Sequence, residues 1–173
     1  MSSAIEALQR LTMLVPNFPE PGIMFRDLTP VFADPDAFAA VCDALTAPYL
    51  GTFDVVAGVE ARGFVLAAAA ARAAGVGVVL IRKGGKLPRA TLRREYALEY
   101  GTAVLEVHPD DVAGRRVLLV DDVLATGGTL CAALELLDDA GAALAGVAVA
   151  IELDALGGRS RLGDVPLTVL QHF

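Results

Sequence analysis

Short apolar runs separated by alanine-rich stretches set the rhythm of this chain. Residues 54–59, 76–81, 117–120 and 145–151 are mostly β-branched or small, each bounded by glycine or charge, as strands covered on both faces should be. Between them, 63–74 is rich in alanine and 129–140 carries Leu130, Leu134 and Leu137 at helical spacing. Strand, helix, strand therefore recurs, which predicts an α/β fold: a doubly wound, mainly parallel sheet flanked by helices, with ligands at the carboxyl ends of its strands.

The flanking segments read differently. Residues 4–15 have the spacing of a short amphipathic helix, ending at a proline-punctuated stretch, 16–27, that cannot be regular helix and is expected to be an ordered loop. Asp34-Pro35 supplies a cap and a first-turn proline for a helix reaching about Tyr49. From 83 to 106 the pattern breaks into glycine, proline and basic residues, then a stretch over 96–106 that fits two short antiparallel strands; an excursion of this length predicts a lid. Gly157-Gly158 marks a turn before a last strand at 166–170.

Composition narrows the possibilities. With 173 residues, 55% of them hydrophobic, the chain can enclose one good-sized core, so a single domain over 1–173 is expected. A net charge of −7 repels a nucleic-acid backbone, and any phosphate site has to be local. Cys42 and Cys131 lack the spacing of a zinc or redox pair and read as buried, reduced thiols. No basic leader with a long apolar segment opens the chain, and no apolar run approaches the roughly 18 residues of a membrane span; the expectation is a cytoplasmic protein without a membrane partner.

The most informative chemistry lies at 117–129, where an apolar strand runs into Asp121 and Asp122 and then into Ala125-Thr126-Gly127-Gly128-Thr129, which opens a helix. Two glycines let backbone amides approach an anion, the threonines add hydroxyl donors, and the helix presents its unsatisfied N–H groups and positive dipole end. Carboxylates do not favour that phosphate, so the acid pair makes sense if the ligand also offers hydroxyls or a metal, as a ribose 5-phosphate with magnesium does. No Gly-x-x-x-x-Gly-Lys-Ser/Thr run occurs, and no Gly-x-Gly-x-x-Gly follows the first strand. Two further features stand beside this loop. Gly58-Val-Glu-Ala61-Arg62-Gly passes from a predicted strand into a helix, another anion-binding position, though Arg62 taken alone reads more often as a salt-bridge partner of Glu60 or a helix residue. Residues 82–94 gather six of the 14 lysines and arginines into 13 positions, a size suited to pyrophosphate.

The acid pair and Thr-Gly-Gly-Thr loop resemble the phosphoribosyl pyrophosphate (PRPP) signature of the type I phosphoribosyltransferases. Arg-Lys-x-Gly-Lys-Leu-Pro, Tyr-x-Leu-Glu-Tyr-Gly and the Pro-Gly-x-x-Phe-Arg-Asp segment at 21–27 resemble the family's adenine-specific branch. The resemblance spans roughly 18–170, with four motifs in family order. It implies transfer of the ribosyl phosphate of PRPP to adenine, giving AMP and pyrophosphate, with Mg2+ as cofactor and a homodimer as the assembly. By it, 125–129 hold the 5-phosphate, and Asp121 and Asp122 address the ribose, with magnesium carried by PRPP and bridged to them through water. Ala61, Arg62, Arg82, Lys83 and Lys86 face pyrophosphate. Main chain near Met24 and Arg26 reads adenine, sandwiched by Phe25 and Val123. A mobile hood over 83–106 carries Glu99, which with Arg62 completes the catalytic pair, and Tyr100. The family's non-proline cis peptide is expected at Ala61–Arg62. Arg93 and Arg94 depart from the pattern, standing where neutral or acidic hood residues are implied, and Glu60 stands where some members have aspartate.

Overall fold

The computed structural model describes residues 3–98 and 101–173. A seven-stranded sheet runs in the order β5-β6-β4-β3-β7-β8-β9. Its parallel part consists of β3 (Val55–Val59), β4 (Gly77–Lys83), β7 (Arg116–Leu124), β8 (Ala143–Glu152) and β9 (Leu167–His172). β5 (Leu92–Leu98) and β6 (Gly101–Val107) add to the β4 edge as an antiparallel ribbon. The expected mainly parallel sheet flanked by helices is what forms.

Alternation within the central strands explains the two-sided core. Leu118 and Val120 of β7 join Val56 of β3 and Ala148 of β8 in one buried cluster, with Leu66, Ala67 and Ala71 of α4 (Arg62–Ala74) and Val41 and Leu45 of α3 (Pro35–Thr46). Val117 and Leu119 point to the other side, where they meet Val55, Val147 and the Leu130, Leu136 and Leu137 side chains of α5 (Gly128–Asp139). Asp34 caps α3 as its sequence promises, accepting from the Ala37 amide at 2.9 Å.

The amino-terminal segment departs from expectation. The first helix, α1 (Ala4–Leu11), stops at Thr12, and the chain becomes β1 (Met13–Pro16), paired antiparallel with β2 (Met24–Asp27). The stretch expected to be an ordered loop without regular structure is thus a hairpin with a second, short helix, α2 (Thr29–Ala33), behind it. Prolines misdirect the reading here: Pro16 sits at the end of a two-stranded ribbon, where a missing N–H costs little. The turn is set by Asn17, which adopts φ 58° and accepts from the Gly22 amide at 2.9 Å through Oδ1.

Arg93 and Arg94 find acidic partners that the sequence pattern did not reveal. Register places Arg82, Glu106 and Arg93 side by side across β4, β6 and β5, and the Arg93 Nε lies 3.2 Å from buried Glu106. Arg94 reaches α5, pairing with Asp139 and, at 3.3 Å, with Glu135.

Candidate active site

β3 is the switch point of the sheet: the chain crosses from it to β4 on one side and later returns to β7 on the other. The carboxyl ends of β3 and β7 therefore diverge, and the crevice between them receives the turn into α4 and the loop into α5. Glycines permit the close fit. A Cβ on Gly63 would fall 2.7 Å from Asp121 Oδ1 and 3.1 Å from the Val120 carbonyl oxygen, so the first turn of α4 sits directly on the acid pair.

The β3–α4 turn contains the non-proline cis peptide one bond earlier than expected, at Glu60–Ala61 rather than Ala61–Arg62. Arg62 is already the first helical residue, while Glu60 still donates its amide to Ile81 of β4 at 3.0 Å, so the reversal falls between them. Arg62 does not pair with Glu60. Glu60 instead accepts from the Arg82 Nε at 3.3 Å and from the Lys83 amide at 3.0 Å, and these donors hold its carboxyl below the ordinary value against the opposing effect of burial. Arg62 turns to Asp122, its Nε 2.7 Å from Oδ2, while its guanidinium carbon lies 5.0 Å from the centroid of the Phe25 ring.

Asp121 and Asp122 lie just short of the end of β7 at Leu124 and are both buried, and the Asp122 amide donates to Asp121 Oδ1 at 2.9 Å. Burial, reinforced by the neighbouring negative charge of Asp122, pushes the Asp121 carboxyl well above its ordinary value. Burial lifts Asp122 as well, with Arg62 opposing. Asp122 Oδ2 has no aligned hydrogen bond despite its nearness to Arg62. A buried acceptor of this kind at the rim of a crevice fits a ribose hydroxyl or the water shell of Mg2+, so these residues suit the cofactor the sequence implies.

Beyond the acids, Ala125, Thr126, Gly127, Gly128 and Thr129 wrap a cavity of about 220 Å³ that Arg62, Asp121, Asp122 and Val123 complete. Gly127 takes φ 80° and caps α5 without a side-chain hydrogen bond, leaving the helix's first amides free for an anion. A second, mainly apolar cavity lies next to it, lined by Val15, Phe18, Phe25, Asp27, Thr29 and again Arg62. Phe18 meets Phe25 edge-on at 5.0 Å. Arg62 is the wall common to both cavities.

The sequence-predicted residues divide accordingly. Arg62, Asp121, Asp122, Val123 and the 125–129 loop come together, and Phe25 lies across Arg62 from them. Val123 lines the loop cavity and Phe25 the aromatic one beside it. Met24 is exposed, and its carbonyl accepts from the Arg26 guanidinium. Ala61 is exposed in the turn before α4. Arg82 is held by Glu60 and by the Lys86 carbonyl at 3.1 Å, while the Lys83 and Lys86 side chains are exposed beside it. Glu99 and Tyr100 lie outside the described residues. Sequence reasoning missed Phe18, Val15 and Thr29 as cavity walls; an aromatic between two prolines was the only signal. It also missed Tyr96, whose hydroxyl accepts from Thr129 Oγ1 at 3.4 Å and so ties the ribbon to the loop.

Comparison with known proteins agrees with this geometry. The family model described as "Phosphoribosyl transferase domain" matches residues 32–170. An adenine phosphoribosyltransferase of Renibacterium salmoninarum is 62% identical over 158 residues, covering 91% of this chain and 87% of that protein. The crystal structure of adenine phosphoribosyltransferase from Rhodothermus marinus superposes with a TM-score of 0.92 at 43% identity, covering 98% of both chains. That of the Giardia lamblia enzyme complexed with 9-deazaadenine does so with a TM-score of 0.93 at 37% identity, over 100% of this chain and 99% of that one. A family model matching residues 32–170 and identities of this size over nearly the whole chain show that it belongs to the adenine phosphoribosyltransferase family.

Proposed function

We propose that the chain transfers the phosphoribosyl group of PRPP to adenine within the two cavities that Arg62 joins, releasing pyrophosphate and leaving AMP. The sharing of Arg62 by the polar and the aromatic cavity carries this reading, because the bond made and the bond broken both meet at the anomeric carbon between them.

In this reading the 5-phosphate takes the amides and hydroxyls of residues 125–129, and the ribose hydroxyls donate to Asp121 and Asp122. Asp121 and Asp122 would hold the Mg2+ that arrives with PRPP, which would supply positive charge to the diphosphate. Adenine stacks on Phe25 in place of the Arg62 guanidinium, which is then released toward the diphosphate with Arg82, Lys83, Lys86 and the Ala61 amide. Main chain at Met24 and Arg26 reads the base edge, and Val123 covers the face of the base opposite Phe25. As the anomeric C–O bond breaks, positive charge grows on the ribose and negative charge on the diphosphate, and the fixed cations stabilise the negative charge that develops on the leaving group more than that of bound PRPP. N9 of adenine attacks and gives up its proton to Glu99 of the hood, with Tyr100 beside it.

The assembly in this reading is a homodimer in the cytoplasm. Val65 of α4 and Val78 and Leu80 of β4 are exposed on the same side of the sheet, an apolar face that a second copy would cover. Two free cysteines accord with a reducing compartment; Cys42 is buried as expected, whereas Cys131 is only half-buried, on the side of α5 that meets the 157–161 turn. Both apolar clusters rest on one sheet, in keeping with a single domain over 1–173.

The test is to incubate the protein with magnesium, PRPP and each natural base in turn. AMP formation from adenine, with little nucleotide from hypoxanthine, guanine or uracil, is expected; IMP or UMP without AMP would overturn the substrate assignment.

A further inference from the structure

The phosphate loop has a brace on its outer side that none of the motifs above includes. β8 ends at Glu152, whose carboxylate is buried. Arg159 returns to it after a short turn: its Nε lies 3.2 and 3.1 Å from the two carboxylate oxygens, and its Nη2 donates to one of them at 2.6 Å. The ion pair thus closes the segment between β8 and β9 into a tight loop. His172 and Asp154 lie at its edge, 2.8 Å apart, but the Arg159 guanidinium already satisfies Glu152, so the cluster is neutralised from within and does not read as a cation site.

What the closed loop presses on decides its meaning. A Cβ on Gly158 would strike the Ala125 carbonyl oxygen and come within 2.8 Å of the Gly127 amide nitrogen; one on Gly127 would come within 2.7 Å of the Gly158 carbonyl oxygen. Two backbones are in contact here with no side chain between them. Further along the turn, Arg161 donates to the Thr126 carbonyl at 3.2 Å, and the Cys131 thiol donates to the Arg161 carbonyl at 3.4 Å. Residues 125–127 are therefore held from behind at three consecutive positions. They have little else to hold them, since α5 lacks a side-chain cap and Gly127 sits in the left-handed region.

We infer that Glu152 and Arg159 are a positioning pair for the 5-phosphate of PRPP and AMP, fixing the turn at 157–161 so that it keeps the loop amides aimed at the anion. The inference rests on the assignment of residues 125–129 to that phosphate. A bidentate arginine on a buried carboxylate sets position and orientation together, which a lysine does not reproduce. Adenine touches none of these residues, so the effect falls on one substrate only.

The experiment compares Arg159→Ala, Arg159→Lys and Glu152→Gln with Thr129→Val in the loop itself and with Arg116→Ala, which breaks an ion pair at the opposite end of β7. Ribose 5-phosphate binding is read by calorimetry, KM for PRPP and adenine by initial rates, and folding by thermal melts. One misaimed charged hydrogen bond corresponds to about a tenfold loss, so that rise is expected in the ribose 5-phosphate Kd and PRPP KM of R159A. R159K and E152Q should lie between it and the parent, while R116A and every KM for adenine stay within about twofold. If R159A melts before assay temperature, E152Q, which keeps the side-chain shape, becomes the deciding variant. Parent-like phosphate affinity in folded R159A or E152Q, or equal losses for PRPP and adenine, would overturn the inference. Parent-like affinity in T129V as well would instead remove the phosphate-loop assignment beneath it.

Discussion

Arg62 stands between Asp122, 2.7 Å from its Nε, and the ring of Phe25, 5.0 Å from its guanidinium carbon, and so joins the two cavities of the candidate site. Its charge opposes the upward shift that burial imposes on Asp122. Replacing Arg62 with alanine removes that opposition, and the folded-state value of Asp122 rises further. Activity that needs the ionised carboxylate then fails at a higher pH on the acid side. A pH profile of kcat/KM should show the acidic limb moved upward in R62A, with a loss of about a hundredfold or more at the optimum.

Asp121 is the converse case, a group whose burial disfavours its charge. Its folded value lies above its unfolded one, so the folded state loses stability as pH rises from the ordinary carboxylate range through the raised value. Asp121→Asn keeps the oxygen that accepts from the Asp122 amide and removes the charge. We predict a protein more stable by about 1 kcal/mol at neutral pH and deficient in PRPP binding, read by denaturant melts and calorimetry.

Glu106 anchors the basic segment. Its Oε1 accepts from the Lys86 and Leu87 amides, both at 2.7 Å. Burial pushes its carboxyl up, but the amides of Leu87, Gly85 and Lys86 together with Arg93 outweigh it and hold it below the ordinary value. Its stabilising effect is therefore present above the ordinary carboxylate range and lost as pH falls through the depressed value. Glu106→Ala strands two amides and should cost about 2 kcal/mol in urea unfolding at pH 7, with KM for PRPP raised because Lys86 is no longer fixed.

Phe25→Ala removes the surface proposed to stack on the base. KM for adenine should rise about tenfold or more, by the usual worth of base stacking, while KM for PRPP changes little. Equal effects on both substrates would assign Phe25 to packing alone.

Asp54 lies far from this chemistry, paired with Arg116 through Arg Nη2 at 2.6 Å and Nε at 3.1 Å. Side-chain and backbone hydrogen bonds from Arg116 lower its carboxyl to about 2. A carbon-detected NMR titration should find that midpoint, and Arg116→Ala should return it toward the ordinary range.

Much of the sheet was readable because strands covered on both faces leave unbroken apolar runs, as at Val117–Leu118–Leu119–Val120, and because helix-forming alanines separate them. The 125–129 loop was readable as a candidate anion site for a local reason: two glycines and two threonines after an acid pair have few uses besides an anion. The amino-terminal hairpin was not, since Pro16, Pro19 and Pro21 suggest irregular chain, whereas only the first falls within a strand, at its end. The partner of Arg62 was hidden for a different reason. Glu60 is two residues away in sequence, but the turn directs it to Arg82 of the neighbouring strand, and Asp122 arrives from 60 residues onward through the β3–β7 pairing. The partners of Arg93 and Arg94 are likewise set by strand register and by docking on α5.

A crystal structure with AMP bound tests the central assignment most directly. The account predicts the 5-phosphate on the amides of residues 125–129, the ribose hydroxyls on Asp121 and Asp122, and the adenine ring against Phe25 with Arg62 displaced from it. AMP bound elsewhere, or a 125–129 loop whose amides turn away from the phosphate, would contradict it.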